Sequence, residues 1–420
     1  MPKPIAFALT VALLLLLPGC ATQSVAAGDA QVAPASDSPG QPSFADWLAD
    51  FRDEARSRGI SQATLEAAFA GIDAPIERVV ELDRSQPEFT LTFWNYFNRA
   101  VSDQRVATGQ QLYREHRALL ERVEAEYGVP GRFLIAFWGL ETNYGQTFGN
   151  FSVIHALATL AYDQRRGDFF RNELIAALEI LEAGHIEPVR MEGSWAGAMG
   201  NLQFMPTTFR AHAVDADGDG RSDIWGSLPD VFASAGHFLQ NLGWNSGETW
   251  GREVRLPRDF DHSLSSIDTY PETRLPLSEW ARRGVRAADG GPLPQAEVQA
   301  ALLLPAGYDG PAFLVYDNYR RFLDWNRSIL YALAVGVLAD RVAGGPPLAA
   351  EPSAVEQRLT SEEVTEIQTH LARLGFDVGE PDGRVGPQTR GAIRDYQQSR
   401  GFPADALADP TLLTRLRAEG

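Results

Sequence analysis

Apolar residues recur at helical spacing along most of this 420-residue chain, and no regular strand–helix alternation interrupts them. Patterns over 103–127, 130–142, 152–162, 168–182, 229–242 and 326–341 each line up apolar side chains three and four positions apart. Such an order builds a mainly helical domain rather than an α/β sheet. Phe44, Trp47, Leu48 and Phe51 open the folded part, and Ser61 is placed to cap a helix that follows it. Residues 245–316 are richer in Pro, Gly and short alternations and are expected to hold a small β element or long loops. The length exceeds what one core usually serves, so two or more domains are expected.

One helical run carries a chemical signal. Pro130-Gly131-Arg132-Phe133-Leu134-Ile135-Ala136-Phe137-Trp138-Gly139-Leu140-Glu141 is greasy until its last residue. Phe137 and Trp138 lie four and three positions before Glu141, which puts all three on one helical face. Aromatic cover strips water from a carboxylate and favours its protonated form, the state a general acid needs near neutral pH. Thr142-Asn143-Tyr144-Gly145 then breaks the helix and leaves the acid at its end.

Two further segments stand out. Gly193 to Gly200 is a Gly/Ala-rich strip, which lets a bulky ligand approach the backbone closely. Asp215-Ala216-Asp217-Gly218-Asp219-Gly220-Arg221 matches the front half of an EF-hand loop, with acids at positions 1, 3 and 5, Gly at 6, and the backbone carbonyl of Arg221 at 7. Position 12 is Gly226 rather than the bidentate Glu. Three close carboxylates repel one another, so a hard cation is the simple explanation, with calcium favoured over magnesium for a flexible all-oxygen set. The seven histidines are scattered without a His-Glu-x-x-His pattern, and Gly193-Ser194 does not fit the G-x-S-x-G elbow. His155, His185 and His237 therefore read as packing or surface residues.

The chain carries 37 basic and 55 acidic residues, a net charge of −18 with no long basic run, which argues against a nucleic-acid partner. Its single cysteine, Cys20, follows Lys3 and an apolar run from Ile5 to Leu17. That run has signal-peptide length and flanks and is short for a membrane span. Leu17-Pro18-Gly19-Cys20 resembles a bacterial lipobox, although Pro18 departs from it. The resemblance implies lipidation at Cys20, and Ala21 after it favours the outer membrane. Residues 1–20 are thus expected to be a signal peptide and 21–42, rich in Ala, Ser, Gly, Pro and Gln, a flexible tether.

Glu141-Thr142-Asn143-Tyr144-Gly145, the segment from Gly193 to Pro206, and Trp325-Asn326-Arg327-Ser328-Ile329-Leu330-Tyr331 together resemble the signatures of the membrane-bound lytic murein transglycosylase B family, in order and spacing. The resemblance spans roughly 43–341 and implies a lysozyme-like α+β catalytic domain, here 43–343, with Glu141 as catalytic acid. It places Ser194, Gln203 and Asn326 beside that acid and Tyr96, Arg165 and Tyr331 in the sugar-binding groove. Phe238 stands where the family can carry Tyr. The family also has a variant metal loop closed by a later Asp, for which Asp230 is the candidate here. The implied reaction cuts the bond between N-acetylmuramic acid and N-acetylglucosamine of peptidoglycan without water, uses no cofactor, and leaves calcium a structural role. No second carboxylate adjoins Glu141 in sequence, but one could lie near it in space. A hydrolytic muramidase and a non-catalytic wall-binding lipoprotein therefore remain alternatives.

Gly344 to Pro352 reads as a linker, taken as 344–356, and a small module follows over 357–420. Thr360-Ser361-Glu362-Glu363 has capping-box spacing, and Val364, Ile367, Leu371 and Leu374 form a helical stripe. Pro381-Asp382-Gly383-Arg384-Val385-Gly386-Pro387 and the residues around it resemble the three-helix peptidoglycan-binding domain type 1. That implies a module holding the enzyme on its polymer. Protein partners are not legible.

Overall fold

A computed structural model describes residues 42–85, 92–266, 273–352 and 359–419. The signal peptide with Cys20, nearly all of the tether and the end of the linker lie outside the described residues. The described residues divide into two compact units, one built from 42–85 and 137–238, the other from 92–136 and the described residues after 238.

The first unit is helical. Phe44–Ser57, Gln62–Ala68, Glu77–Ser85, Val153–Tyr162 and Gly167–Glu182 pack with the short helix Pro206–His212 and most of Leu228–Asn241. Ser61 caps its helix as expected, accepting from Thr64 N at 3.2 Å. Val153–Tyr162 and Gly167–Glu182 form the centre, with Leu157, Ala158, Leu174 and Leu178 wholly buried. A two-stranded antiparallel ribbon pairs Phe151–Ser152 with Glu192–Gly193 and ties the loop after the Glu141 helix to the Gly-rich strip.

The second unit holds the expected β element. Its sheet has five short antiparallel strands in the order Leu275–Pro276, Gln299–Leu303, Ala312–Val315, Gly251–Arg255, Arg286–Ala287. One face buries Trp280, Val285, Leu302 and Leu314, and the Trp280 indole N–H donates to Ala300 O at 3.0 Å. Around it stand Phe93–Ala100, Asp103–Glu115, Arg117–Tyr127, Asp317–Trp325 and Ile329–Val342. The sequence pattern over 103–127 is thus two helices joined at His116, and the helix expected from 326 starts at Ile329 behind a Ser328 cap. Trp250 fixes this unit: its indole donates to Asp340 Oδ2 at 2.9 Å, and a Cβ on Gly336 would sit 2.3 Å from its ring.

The C-terminal module consists of Ser361–Arg373, Pro387–Ser399 and Pro410–Glu419 around Ile367, Leu371, Ile393, Tyr396 and Leu416. The capping box forms as the spacing predicts. Gln368, a buried residue of the first of these helices, donates to Asp382 Oδ1, Arg384 O and Thr389 Oγ1 and accepts from Gly383 N, which pins the Asp382-Gly383 turn. Within its unit the module touches the sheet region: Arg394 donates to Ser265 O at 2.7 Å and Tyr308 N to Asp405 Oδ2 at 2.9 Å. The linker start is anchored too, with Ala349 N and Ala350 N donating to the Glu253 carboxylate.

Candidate active site

Helix Gly131–Thr142 ends as its sequence demands. Asn143, Tyr144 and Gly145 all take positive φ, at 50, 61 and 79°, so the chain turns sharply after Glu141. The Tyr144 ring folds back beneath the helix, where a Cβ on Gly139 would lie 2.7 Å from it. Trp138 meets Tyr144 and Phe232 edge to face at 5.7 and 5.5 Å. Glu141 itself is only 4% exposed and Phe137 not at all. Glu141 therefore sits where little solvent reaches it.

The Gly-rich strip is a tight double turn. Ser194 N donates to Ala198 O, Gly197 N to Ser194 O, and Met199 and Phe204 exchange backbone hydrogen bonds at 3.0 Å. A Cβ at Gly193 would sit 2.1 Å from Ala198 O, and one at Gly149 2.1 Å from Gly193 O, so glycine is obligatory at both. The Ser194 hydroxyl accepts from Ala196 N and Ala198 N. The Gln203 amide donates to Phe148 O and Gly200 O, with Gln203 at φ 48°. Both side chains thus shape the turn as well as standing partly open to solvent.

Asn201, buried in that turn, joins it to the helix end. Its Oδ1 accepts from Trp138 Nε1 at 2.7 Å, and its backbone carbonyl from the Thr142 hydroxyl at 3.1 Å. Asn201 receives no role from sequence alone. An amide amid glycines and apolar residues was the available signal.

Three other buried carboxylates brace this unit. Asp83 pairs with both Arg165 and Arg166, and Arg165 also donates to the Asp83 carbonyl at 2.8 Å. The Arg165 side chain keeps 45% of its exposure, so it is oriented without being covered. Glu173 accepts from Thr207 N at 2.9 Å and Thr207 Oγ1 at 2.7 Å, which caps helix Pro206–His212, and burial pushes its carboxyl above the ordinary range. A carboxylate on the apolar face of helix Gly167–Glu182 was its trace in the sequence. Asp230 is the third.

In the acidic loop, Asp215, Asp217 and Asp230 bring one oxygen each within 4.8 Å of one another. Asp230 is wholly buried, accepts from Ala216 N and Asp223 N, and burial raises its carboxyl. Asp219 lies outside this trio and accepts from Arg221 N at 2.8 Å. Among the described residues no arginine forms an ion pair with the trio. His185 supports the loop by accepting from Ser222 N at 3.0 Å.

The remaining candidates fall as follows. The Phe238 ring lies tilted over His212 at 4.6 Å and meets Phe204 edge to face at 5.4 Å. Tyr96, Asn326 and Tyr331 belong to the other unit. There Asn326 Oδ1 accepts from Ser328 N at 3.0 Å, Tyr331 lies in the first turn of helix Ile329–Val342, and Tyr96 is half-buried on Phe93–Ala100.

Comparison with known proteins agrees with this architecture. The transglycosylase SLT domain family matches residues 43–340, and the putative peptidoglycan binding domain family matches 360–416. Membrane-bound lytic murein transglycosylase B of Escherichia coli (strain K12) is 28% identical over 254 residues, which is 59% of this chain and 66% of that protein. The crystal structure of SltB3 from Pseudomonas aeruginosa, in complex with NAG-anhNAM-pentapeptide, is 48% identical with a TM-score of 0.84, covering 89% of this chain and 99% of that one. An Escherichia coli lytic transglycosylase in complex with calcium is 26% identical with a TM-score of 0.59, over 70% of this chain and 92% of that one. The expected mainly α, lysozyme-like fold with a small helical module at the C-terminus stands. The chain belongs to the transglycosylase SLT domain family, as a peptidoglycan lytic transglycosylase with a C-terminal peptidoglycan-binding domain.

Proposed function

We propose that Glu141 alone carries the chemistry, as acid and then as base. Its proton goes to the glycosidic oxygen between N-acetylmuramic acid and N-acetylglucosamine, and the C1–O bond breaks. The muramyl C6 hydroxyl attacks C1, its proton passes to the Glu141 carboxylate, and a 1,6-anhydro ring closes. Acid and base are regenerated as one group, and no water enters. The observation that carries this reading is the burial of Glu141 at a broken helix end, one turn after the buried Phe137 and Trp138. Two-carboxylate hydrolysis requires a partner acid at a set separation. Among the described residues of this unit, Asp83, Glu173 and Asp230 are each committed to scaffold contacts, which favours the one-carboxyl route. Ser194, Gln203, Asn326, Tyr96 and Tyr331 supply hydroxyl, amide and ring surfaces suited to sugars. Arg165, steered by Asp83, offers a cation to the acidic substituents of the strand, and Phe238 an apolar wall. The structure of SltB3 with a muropeptide ligand supports this substrate class. The C-terminal module holds the enzyme on its polymer and raises local substrate concentration.

The acidic loop fits calcium. Two exposed carboxylates and a buried one converge, with no arginine ion pair to them among the described residues, a donor set suited to a hard cation, and a relative was crystallised with calcium. Asp215, Asp217 and Asp230 would hold the ion, with Asp219 and the Arg221 carbonyl as further donors. Bound there it neutralises the cluster and braces the fold. We place the enzyme, by the same resemblance, on the periplasmic face of the outer membrane through a lipid on Cys20.

Three outcomes follow. Glu141→Gln should cut release of soluble muropeptides from purified sacculi by roughly 100-fold or more while co-sedimentation with sacculi is kept; activity near that of the wild type would remove Glu141 from the mechanism. Millimolar calcium should raise the unfolding temperature, EDTA should reverse the gain, and Asp230→Asn should lose the response; identical melting with calcium and with EDTA would contradict the metal site. Mass spectrometry of protein extracted from membranes should find Cys20 as a diacylglyceryl N-terminus, and an unmodified Cys20 would refute the anchor.

A further inference from the structure

Three segments distant in sequence meet at the Asn201 side chain, and all three lie in one unit. On one side Oδ1 accepts from the indole of Trp138, one turn before Glu141. On the other, Nδ2 donates to Ile224 O at 3.0 Å and Trp225 O at 2.9 Å, and Asn201 N also donates to Ile224 O. Ile224 and Trp225 directly follow Asp223, whose backbone N–H donates to Asp230 and whose Oδ1 accepts from Trp225 N and Gly226 N. A continuous path of hydrogen bonds therefore runs from Asp230 in the acidic loop to the indole one helical turn before the acid.

The path has little slack. A Cβ on Gly145 would sit 2.8 Å from Asn201 Oδ1, and one on Gly200 would sit 2.7 Å from Ile224 Cγ1. The site also needs a side chain that accepts on one side and donates twice on the other, which among short side chains only an amide does. A carboxylate would face two carbonyls with no proton to give.

We infer that Asn201 is a positioning residue that ties the end of the Glu141 helix to the acidic loop, so that loop geometry sets the seat of the acid. This rests on the reading of Glu141 as the acid and of the loop as a calcium site. A displaced seat costs rate rather than affinity, because the acid must meet the glycosidic oxygen within a fraction of an ångström. By linkage, an ion that orders the loop also orders the acid.

The test uses the full chain labelled with ¹⁵N-tryptophan. Its nine tryptophans give nine indole signals, and those of Trp138 and Trp225 are identified from Trp138→Phe and Trp225→Phe. On addition of calcium both signals should move in the wild type. In Asn201→Ala only the Trp225 signal should move, and kcat on sacculi should fall roughly 10- to 100-fold with apparent KM little changed. Asn201→Asp, which keeps the acceptor for Trp138 and loses both donors, serves if the alanine variant does not fold, with the same expectation. A wild type in which Trp225 responds and Trp138 does not would overturn the relay. If neither signal responds, the calcium reading fails, and kinetics decide the positioning role: a kcat loss at constant KM supports it, and wild-type kcat in both variants overturns it.

Discussion

A carboxylic acid can be kept under aromatic cover only if the polar groups buried with it are satisfied, since each one left unpaired costs about 1–3 kcal/mol. At the end of helix Gly131–Thr142 the Asn201 amide and the Thr142 hydroxyl meet that requirement. Asn201 satisfies the Trp138 indole and two carbonyls of the acidic loop. Thr142 donates to Asn201 O and accepts from Gly145 N. With these bonds in place, Trp138 can meet Tyr144 and Phe232 edge to face, and Glu141 can be buried at a helix end rather than washed by solvent.

The glycines around this centre serve the same geometry. Gly139 admits the Tyr144 ring, Gly145 admits the Asn201 side-chain oxygen Oδ1, Gly149 and Gly193 cross at backbone contact, and Gly200 admits Ile224. Side chains at these points would push apart segments whose hydrogen bonds hold the acid. Asp83, Glu173 and Asp230 do complementary work farther out, each fixing a neighbouring segment through backbone N–H groups or arginines. Burying these acids is costly and raises Glu173 and Asp230, so the unit gives up some stability to keep its segments in place.

Much of this was legible in the sequence because the signals are local. Helical spacing marked most helices, Ser61 and Thr360 announced their caps, and the Asn143-Tyr144-Gly145 break and the Asp215-Asp217 spacing stood in plain view. Boundaries were less legible. His116 separates two helices with no Gly or Pro to mark the joint, and Asn326 closes one helix while Ser328 opens the next. The sheet was foreseen only as a β element, because strands of two to five residues carry almost no periodicity. Asn201 was not legible at all in its role: its side-chain partners lie 63, 23 and 24 positions away, and only the folded chain brings them to one amide.

The central claim is that one buried acid closes an anhydro ring without water. Mass spectrometry of the muropeptides released from purified sacculi by the full chain tests it most directly. The account predicts products ending in 1,6-anhydromuramic acid. Reducing-end products, heavier by one water, would contradict it and require a second catalytic group that activates water.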